Sequence, residues 1–468
     1  MKVFFRRIHL YLGLTAGLVI TISCLTGALL VFEKELTEAF HHDRYYVMPS
    51  GERLPLDKVA ALVQQAVPGA SISRIQLFAD PARTIQVTVE EGKKGGKKGG
   101  KGEGKVGGEK DGSKRQRHEE QGNPGAAIVT TGEKTGKAGS QDDRSAADAQ
   151  TAKPAPEKDA QPDRQDKMKS GGKEGAAPKK EKGRIAFVNP YTGQVIEVYS
   201  YQQSFYYQVF SLHRWLLAGP TGKMITGIST FIFLFILITG IILWWPKTRN
   251  IFKQRIKVKW DGNWKRVTND LHVVLGFYTS IFLFIVAFTG LTWSFEWFSK
   301  AFYATLGVSP KPSVAPVSEQ AAATDSSRIT YEAALAIVKK AVPDAKFYSF
   351  TPPKDGEAAF MVSLLPAGNV NEATTTTYYL DQFNGKVLQS QTFAQRTAGQ
   401  RIRASIKPLH TGAIFGTPSK IFSLILALLG ATFPTTGTIM WLNRTRKKKK
   451  GAKAPAKAKE SAGAKQVA

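Results

Sequence analysis

Cysteine is all but missing from this chain. Cys24 is the only one in 468 residues. That excludes an internal disulfide framework and a cysteine-cluster metal site. It sits inside an apolar run and reads as a plain core thiol. Acids are also short: 37 Asp and Glu stand against 65 Lys and Arg, a net charge of +28. Alone, that excess would suit nucleic acid or an anionic membrane surface. No Gly-x-Gly-x-x-Gly opens a helix, so no dinucleotide-binding unit is expected. Histidine is scarce too, with seven in the chain.

Long uncharged runs are present, and they decide between nucleic acid and membrane. Residues 8–32, 224–245, 273–293 and 421–441 are almost free of charge. Each has about the 20 residues that a helix needs to cross a hydrocarbon core of about 30 Å. The first run is too long for a cleavable signal and lacks a small-residue cleavage site, so it reads as a retained helix. Nucleic acid is therefore not expected as a partner; membrane lipid is. Lys and Arg crowd the short flanks: Lys2, Arg6 and Arg7, then Lys247 to Arg266 with Asp261 as the single acid, then Arg444 to Lys450. With four spans, these three flanks fall on one side, which the positive-inside rule makes cytoplasmic. Both termini are then cytoplasmic and the two long segments between spans face outward, to the periplasm if the cell is Gram-negative.

The outward segments read as small α+β lobes. Leu56, Val59, Leu62, Val63 and Val67 have helical spacing, stopped by Pro68-Gly69. Thr84 to Val89 alternates like a strand, and order returns at Arg184 after a Gly- and Lys-rich stretch. That insert, 91–183, cannot bury enough apolar area to offset chain entropy and is expected to be disordered. The expected order is a helix over 8–33, lobe one over 53–200 with its insert, and an outer histidine segment and helix over 213–245. A basic loop over 246–269 follows, then a helix over 270–298 and lobe two over 328–392. A second histidine segment and helix over 410–442 and a disordered basic tail over 443–468 complete the chain.

The second half repeats the first. His9 is followed by Gly13, Thr26-Gly27 and Phe32-Glu33; His272 is followed at the same offsets by Gly276, Thr289-Gly290 and Phe295-Glu296. His213 is followed by Lys223, Thr239-Gly240 and Trp244; His410 by Lys420, Thr436-Gly437 and Trp441. A helix–lobe–helix unit used twice implies a pseudo-twofold axis along the membrane normal. That axis relates His9 to His272 on the cytoplasmic side and His213 to His410 on the outer side. The recurring glycines allow close helix approach.

Two opposed imidazoles suit a planar cofactor with two axial ligands, a b-type haem. Two such haems, one near each face, would form an electron path. Covalent attachment is excluded, because Cys-x-x-Cys-His is absent. The plain alternative is four interfacial histidines, like the aromatic belts. Zinc fits less well, since each face offers two histidines where four ligands are usual. Arg214 and Trp215 beside His213 could meet a haem propionate and a haem face, or could be simple interfacial anchors. Their counterparts are Thr411 and Gly412. Glu33 and Glu296 could relay protons or contact a cationic substrate, or stand solvated at helix ends. His41-His42-Asp43 reads as a surface cluster and His118 as inert.

These residues carry a resemblance. The duplicated four-helix arrangement, the Tyr/Phe-x-Gly-x-Val turns at Tyr191 and Phe383, and the Leu-His and Thr-Gly signatures resemble the PepSY-associated transmembrane-helix family. The likeness spans the chain except the insert and the tail. It implies PepSY-like periplasmic lobes and an inner-membrane ferric-siderophore reductase with two bis-histidine haems. In such a protein, electrons pass outward to reduce a ferric chelate and release Fe(II). Some relatives add a flavin reductase domain; here the 246–270 loop is too short, so a separate cytoplasmic reductase or a quinol is the implied donor. Two other readings remain: lobes that bind peptide or protease on a membrane anchor, and a transporter of iron or siderophore built on the repeat.

Overall fold

A computed structural model describes residues 1–91, 183–308, 315–318 and 328–452. The expected disorder of the insert, His118 within it, and the tail beyond Ala452 lie outside the described residues.

The chain opens with α1 (Lys2–Leu30), a single apolar helix that starts earlier than hydropathy suggested and stops three residues sooner. It breaks at Val31-Phe32, and α2 (Glu33–Phe40) and α3 (His42–Tyr45) carry the chain into the first lobe. That lobe holds α4 (Leu56–Ala66), β1 (Ala70–Phe78), β2 (Ile85–Glu91), β3 (Arg184–Val188) and β4 (Val195–Tyr199). Then come α5 (Phe205–Trp215), α6 (Gly219–Trp244), α7 (Arg249–Arg255) and α8 (Trp264–Asp270). A π turn at Leu271–Leu275 joins α8 to α9 (Gly276–Ser294). After a break at Phe295, α10 (Glu296–Thr305) leads out. The second lobe holds α11 (Tyr331–Ala341), β5 (Ala345–Thr351), β6 (Phe360–Pro366), β7 (Thr376–Leu380) and β8 (Val387–Gln391). The chain ends with α12 (Ala398–Thr411) and α13 (Thr417–Ala452).

Among the described residues, four helices are long and apolar enough to cross a membrane: Lys2–Leu30, Gly219–Trp244, Trp264–Ser294 and Thr417–Arg446. Two expectations are corrected, and the outer histidine segments take a definite form. The helix taken as 270–298 breaks at Phe295, as the first breaks at Val31-Phe32, because the acids Glu33 and Glu296 open new helices. The outer histidines do not ride on the membrane helices. They end α5 and α12, and Pro220 and Pro418 start α6 and α13 afresh at their first turns. The tail expected to be disordered from 443 instead continues α13 to Ala452, since Arg and Lys are good helix formers and no proline intervenes.

The two lobes share one antiparallel sheet of eight strands in the order β4-β3-β2-β1-β5-β6-β7-β8. The seam is β1 against β5, with Ile75 opposite Phe350 and Leu77 opposite Tyr348. Ile75 and Phe350 are fully buried there. Helices α4 and α11 place Leu56, Val59 and Val63, and Leu335 and Val338, into one core with these strands. The two helices cap each other. The Asp57 carboxylate accepts from Tyr331 N (2.9 Å) and Glu332 N (3.1 Å), while Glu332 accepts from Leu56 N (2.9 Å). Each acid thus satisfies the open amides of the other helix.

Candidate functional site

Within the membrane bundle, α1 packs on α6 and α13, and α9 packs on α6 and α13. The short helices α5 and α12 lie against α1 and α9. This brings the four sequence-predicted histidines into two pairs. The His9 and His272 ring centroids are 6.3 Å apart, and those of His213 and His410 are 6.2 Å apart.

Each histidine sits on the Thr-Gly step of a neighbouring helix. His213 Nδ1 lies 3.2 Å from Thr26 Oγ1 and 2.9 Å from Ser23 O; His410 Nδ1 lies 3.2 Å from Thr289 Oγ1 and 2.9 Å from Val286 O. On the tail side, His9 Nδ1 is 3.0 Å from Thr239 Oγ1 and His272 Nδ1 is 2.9 Å from Thr436 Oγ1. The glycine after each threonine makes room. A Cβ on Gly27, Gly240, Gly290 or Gly437 would stand 3.2, 3.4, 3.0 or 3.3 Å from the imidazole Cε1.

These bonds fix the tautomer. Each of the four hydroxyls donates to a carbonyl of its own helix: Thr26 to Ile22 O, Thr239 to Phe235 O, Thr289 to Ile285 O and Thr436 to Thr432 O, at 2.7–3.0 Å. With its proton committed, the threonine oxygen accepts from the imidazole, so Nδ1 carries the hydrogen. Nε2 keeps its lone pair and has no hydrogen-bond partner among the described residues. This is how a metal-binding histidine is prepared. A metal ion held about 2 Å from each of two imidazole nitrogens puts the ring centroids a little over 6 Å apart, the spacing seen in both pairs. Among the described residues no group of three His, Cys, Asp or Glu clusters. Each pair therefore offers two imidazoles with Nε2 free of hydrogen bonds among these residues and leaves any further ligands to another group.

The tail-side pair lines a cavity of about 460 Å³. Its walls are apolar, with Leu10, Phe233, Leu237, Phe277 and Phe433; Gly13 and Gly276 widen it beside the histidines. Lys2, Arg6, Arg255 and Arg444 gather at one end. A flat apolar molecule with acidic substituents fits such a lining. On the lobe side, Trp293 approaches His410 edge-on at 5.2 Å. Its offset partner in the first half is Leu30, so the repeat gave no sign of it. A second, shallower cavity of about 290 Å³ lies where α1, α2, the Tyr199–Tyr201 turn, and the start of α13 meet beside Thr411.

The remaining sequence candidates lie elsewhere. Arg214 is exposed, its guanidinium 5.5 Å from the Trp215 ring and 5.9 Å from Phe210. Trp215 also packs edge-on against Phe210. Neither residue joins the paired imidazoles, since the next two positions of a helix turn away from the first. His42 stacks on Tyr46 at 4.6 Å on the lobe surface. Glu296 is fully exposed, and its bond to Lys300 (2.8 Å), followed by that cation's attraction, holds its carboxyl below the ordinary value. Glu33, at the same repeat position, lines the shallow cavity instead.

Four apolar helices, two of them preceded by amphipathic helices that end in histidine, define a multi-pass membrane protein. The model of the PepSY-associated TM region matches residues 6–444, and the chain belongs to that family. No curated protein matches it.

Proposed function

We propose that this protein is a di-haem oxidoreductase of the bacterial inner membrane that reduces a ferric siderophore or similar ferric chelate on its lobe side. In this reading His9 and His272 hold one b-type haem and His213 and His410 the other. Both termini and the 246–269 loop are cytoplasmic, and the lobes are periplasmic PepSY-like halves of a duplicated unit. The observation that carries it is the state of the four imidazoles: paired at 6.2–6.3 Å, Nδ1 tied down, Nε2 open.

A haem at each pair supplies a reversible one-electron couple. The chain does the rest. The Thr-Gly seats hold each imidazole in one tautomer and raise its basicity. Arg6 and Arg444, which line the tail-side cavity, would hold carboxylates of the macrocycle. The levels of His9 and Thr26 differ by 17 residues of α1, or about 25 Å of helix. Ile20, Phe233, Leu234, Leu283 and Leu291 fill the bundle between them and keep water out. The electron donor is a separate cytoplasmic reductase or a quinol.

A transporter of this type would need unwound backbone near the midplane. Here α6 and α13 run unbroken, α13 through Pro434, whose ring packs on Gly17. A simple anchor for binding lobes would need no prepared imidazoles.

The test is optical. Purified protein from haem-replete cells is expected to show a low-spin spectrum with two haems per chain. His213→Ala and His410→Ala each leave one haem, and the same one. A colourless wild-type preparation would sink the proposal.

A further inference from the structure

The shallow lobe-side cavity is left unused by electron transfer alone. It is lined by Leu30 of α1, Glu33 and Thr37 of α2, Tyr45, Tyr201, and Thr411 next to His410. Its lysines are already answered. Lys34 pairs with Glu372 at 2.7 Å, and Lys420 pairs with Glu35. Glu33 forms no ion pair among the described residues. Its carboxyl instead shares a hydrogen bond with the Tyr201 hydroxyl. Burial raises it above the ordinary carboxylate range; the Tyr201 bond and the Lys407 charge only partly oppose that. The groups facing it are Tyr201 and Tyr206 from the turn and α5, Lys407 from α12, Tyr45 from α3 and Lys420 from α13. The acids beside this cluster, Glu35 and Glu372, are engaged by Lys420 and Lys34.

We propose that Glu33 is the proton donor for the acceptor reduced in this cavity, an oxygen-donor chelate of ferric iron. This rests on the electron-transfer reading above. The balance is simple. One electron arrives from the lobe-side centre and converts Fe(III) to Fe(II). The iron–oxygen bond to one chelating oxygen breaks. That oxygen takes the Glu33 proton, leaving a carboxylate that refills from solvent through the open cavity. Protonating the oxygen keeps it from recapturing the iron. Tyr201 tunes the donor, since its hydroxyl favours the ionised carboxylate.

The experiment uses the full-length protein, reduced beforehand with dithionite, and two acceptors followed by stopped-flow absorbance. Ferric acetohydroxamate must gain protons as its iron leaves; ferricyanide takes an electron and no proton. With wild type, the acetohydroxamate rate is expected to fall as pH rises through the Glu33 pKa, while the ferricyanide rate stays flat. Glu33→Gln should slow acetohydroxamate at least about 100-fold, the usual worth of a positioned acid, remove its pH dependence, and spare ferricyanide. Tyr201→Phe should move the fall of the acetohydroxamate rate to higher pH. Glu296→Gln, the repeat counterpart, should change nothing. Equal slowing of both acceptors by Glu33→Gln, or a Tyr201→Phe profile that does not move, overturns the assignment. If the wild type reduces neither acceptor, the electron-transfer reading itself falls and takes this one with it.

Discussion

At the scale of single residues, the threonine-glycine steps do more than let helices approach. Each threonine orients a histidine of another helix, and each glycine clears the space for its ring. Removing the hydroxyl in Thr289→Val leaves Val286 O to hold His410 and is expected to weaken haem binding at the lobe-side pair about 10- to 100-fold. Titrating haem into depleted protein measures this. Gly290→Val should abolish that haem altogether while sparing the tail-side one, because a Cβ already stands 3.0 Å from the ring. The histidine pairs were legible in the sequence, since equal offsets in the two halves imply an axis. The seats were not. Which Thr-Gly step meets which histidine depends on helix neighbours, and spacing along a chain does not encode them. The available clue was numerical: four such steps recur at matched offsets with four histidines. Trp293 had no clue at all, as its counterpart Leu30 is aliphatic. The backbone after His213 was equally silent. Leu216 and Leu217 turn there with φ of 49° and 57°, where the chain after His410 turns at Gly412. Such a conformation costs a non-glycine residue about 1–2 kcal/mol.

At the scale of elements, α4 and α11 stabilise each other's first turns across the lobe seam. Burial alone would raise the Glu332 carboxyl, but the bonds from Arg53 and Leu56 N and the Arg53 charge outweigh it and hold it below its ordinary value. A carboxyl held low contributes stability above its unfolded pKa and loses it as pH falls. The lobes should therefore weaken below about pH 4.5, the ordinary glutamate value. Glu332→Gln should cost about 1 kcal/mol at neutral pH, as a lost helix cap does, and remove part of that acid sensitivity. Thermal unfolding at several pH values checks both. The sequence showed two helix–sheet units and the turns within them. It did not show that β1 and β5 join them into one sheet, because edge-to-edge pairing leaves no mark on alternation. The helix breaks at Phe32 and Phe295 were hidden for another reason: the apolar run continues across each break and only the following acid differs.

At the scale of the whole molecule, the basic flanks lie on the face of the bundle away from the sheet. If that face is cytoplasmic, single cysteines placed at His42 and Lys257 in a Cys24→Ala background should label from opposite sides of intact spheroplasts. A membrane-impermeant maleimide should reach position 42 and miss position 257; the reverse result would invert the protein in the bilayer. The sheet adds a mechanical consequence. Its two outermost strands, β4 and β8, are the ones that lead into α5 and α12. Seven strand intervals of about 4.8 Å make a bar some 34 Å wide. The two chains leave its opposite edges and come back together until His213 and His410 stand 6.2 Å apart. The lobes are thus the beam of a caliper and the lobe-side histidines its jaws. The 6.2 Å gap between His213 and His410 is bridged, through α5 and α12, by the full width of the sheet.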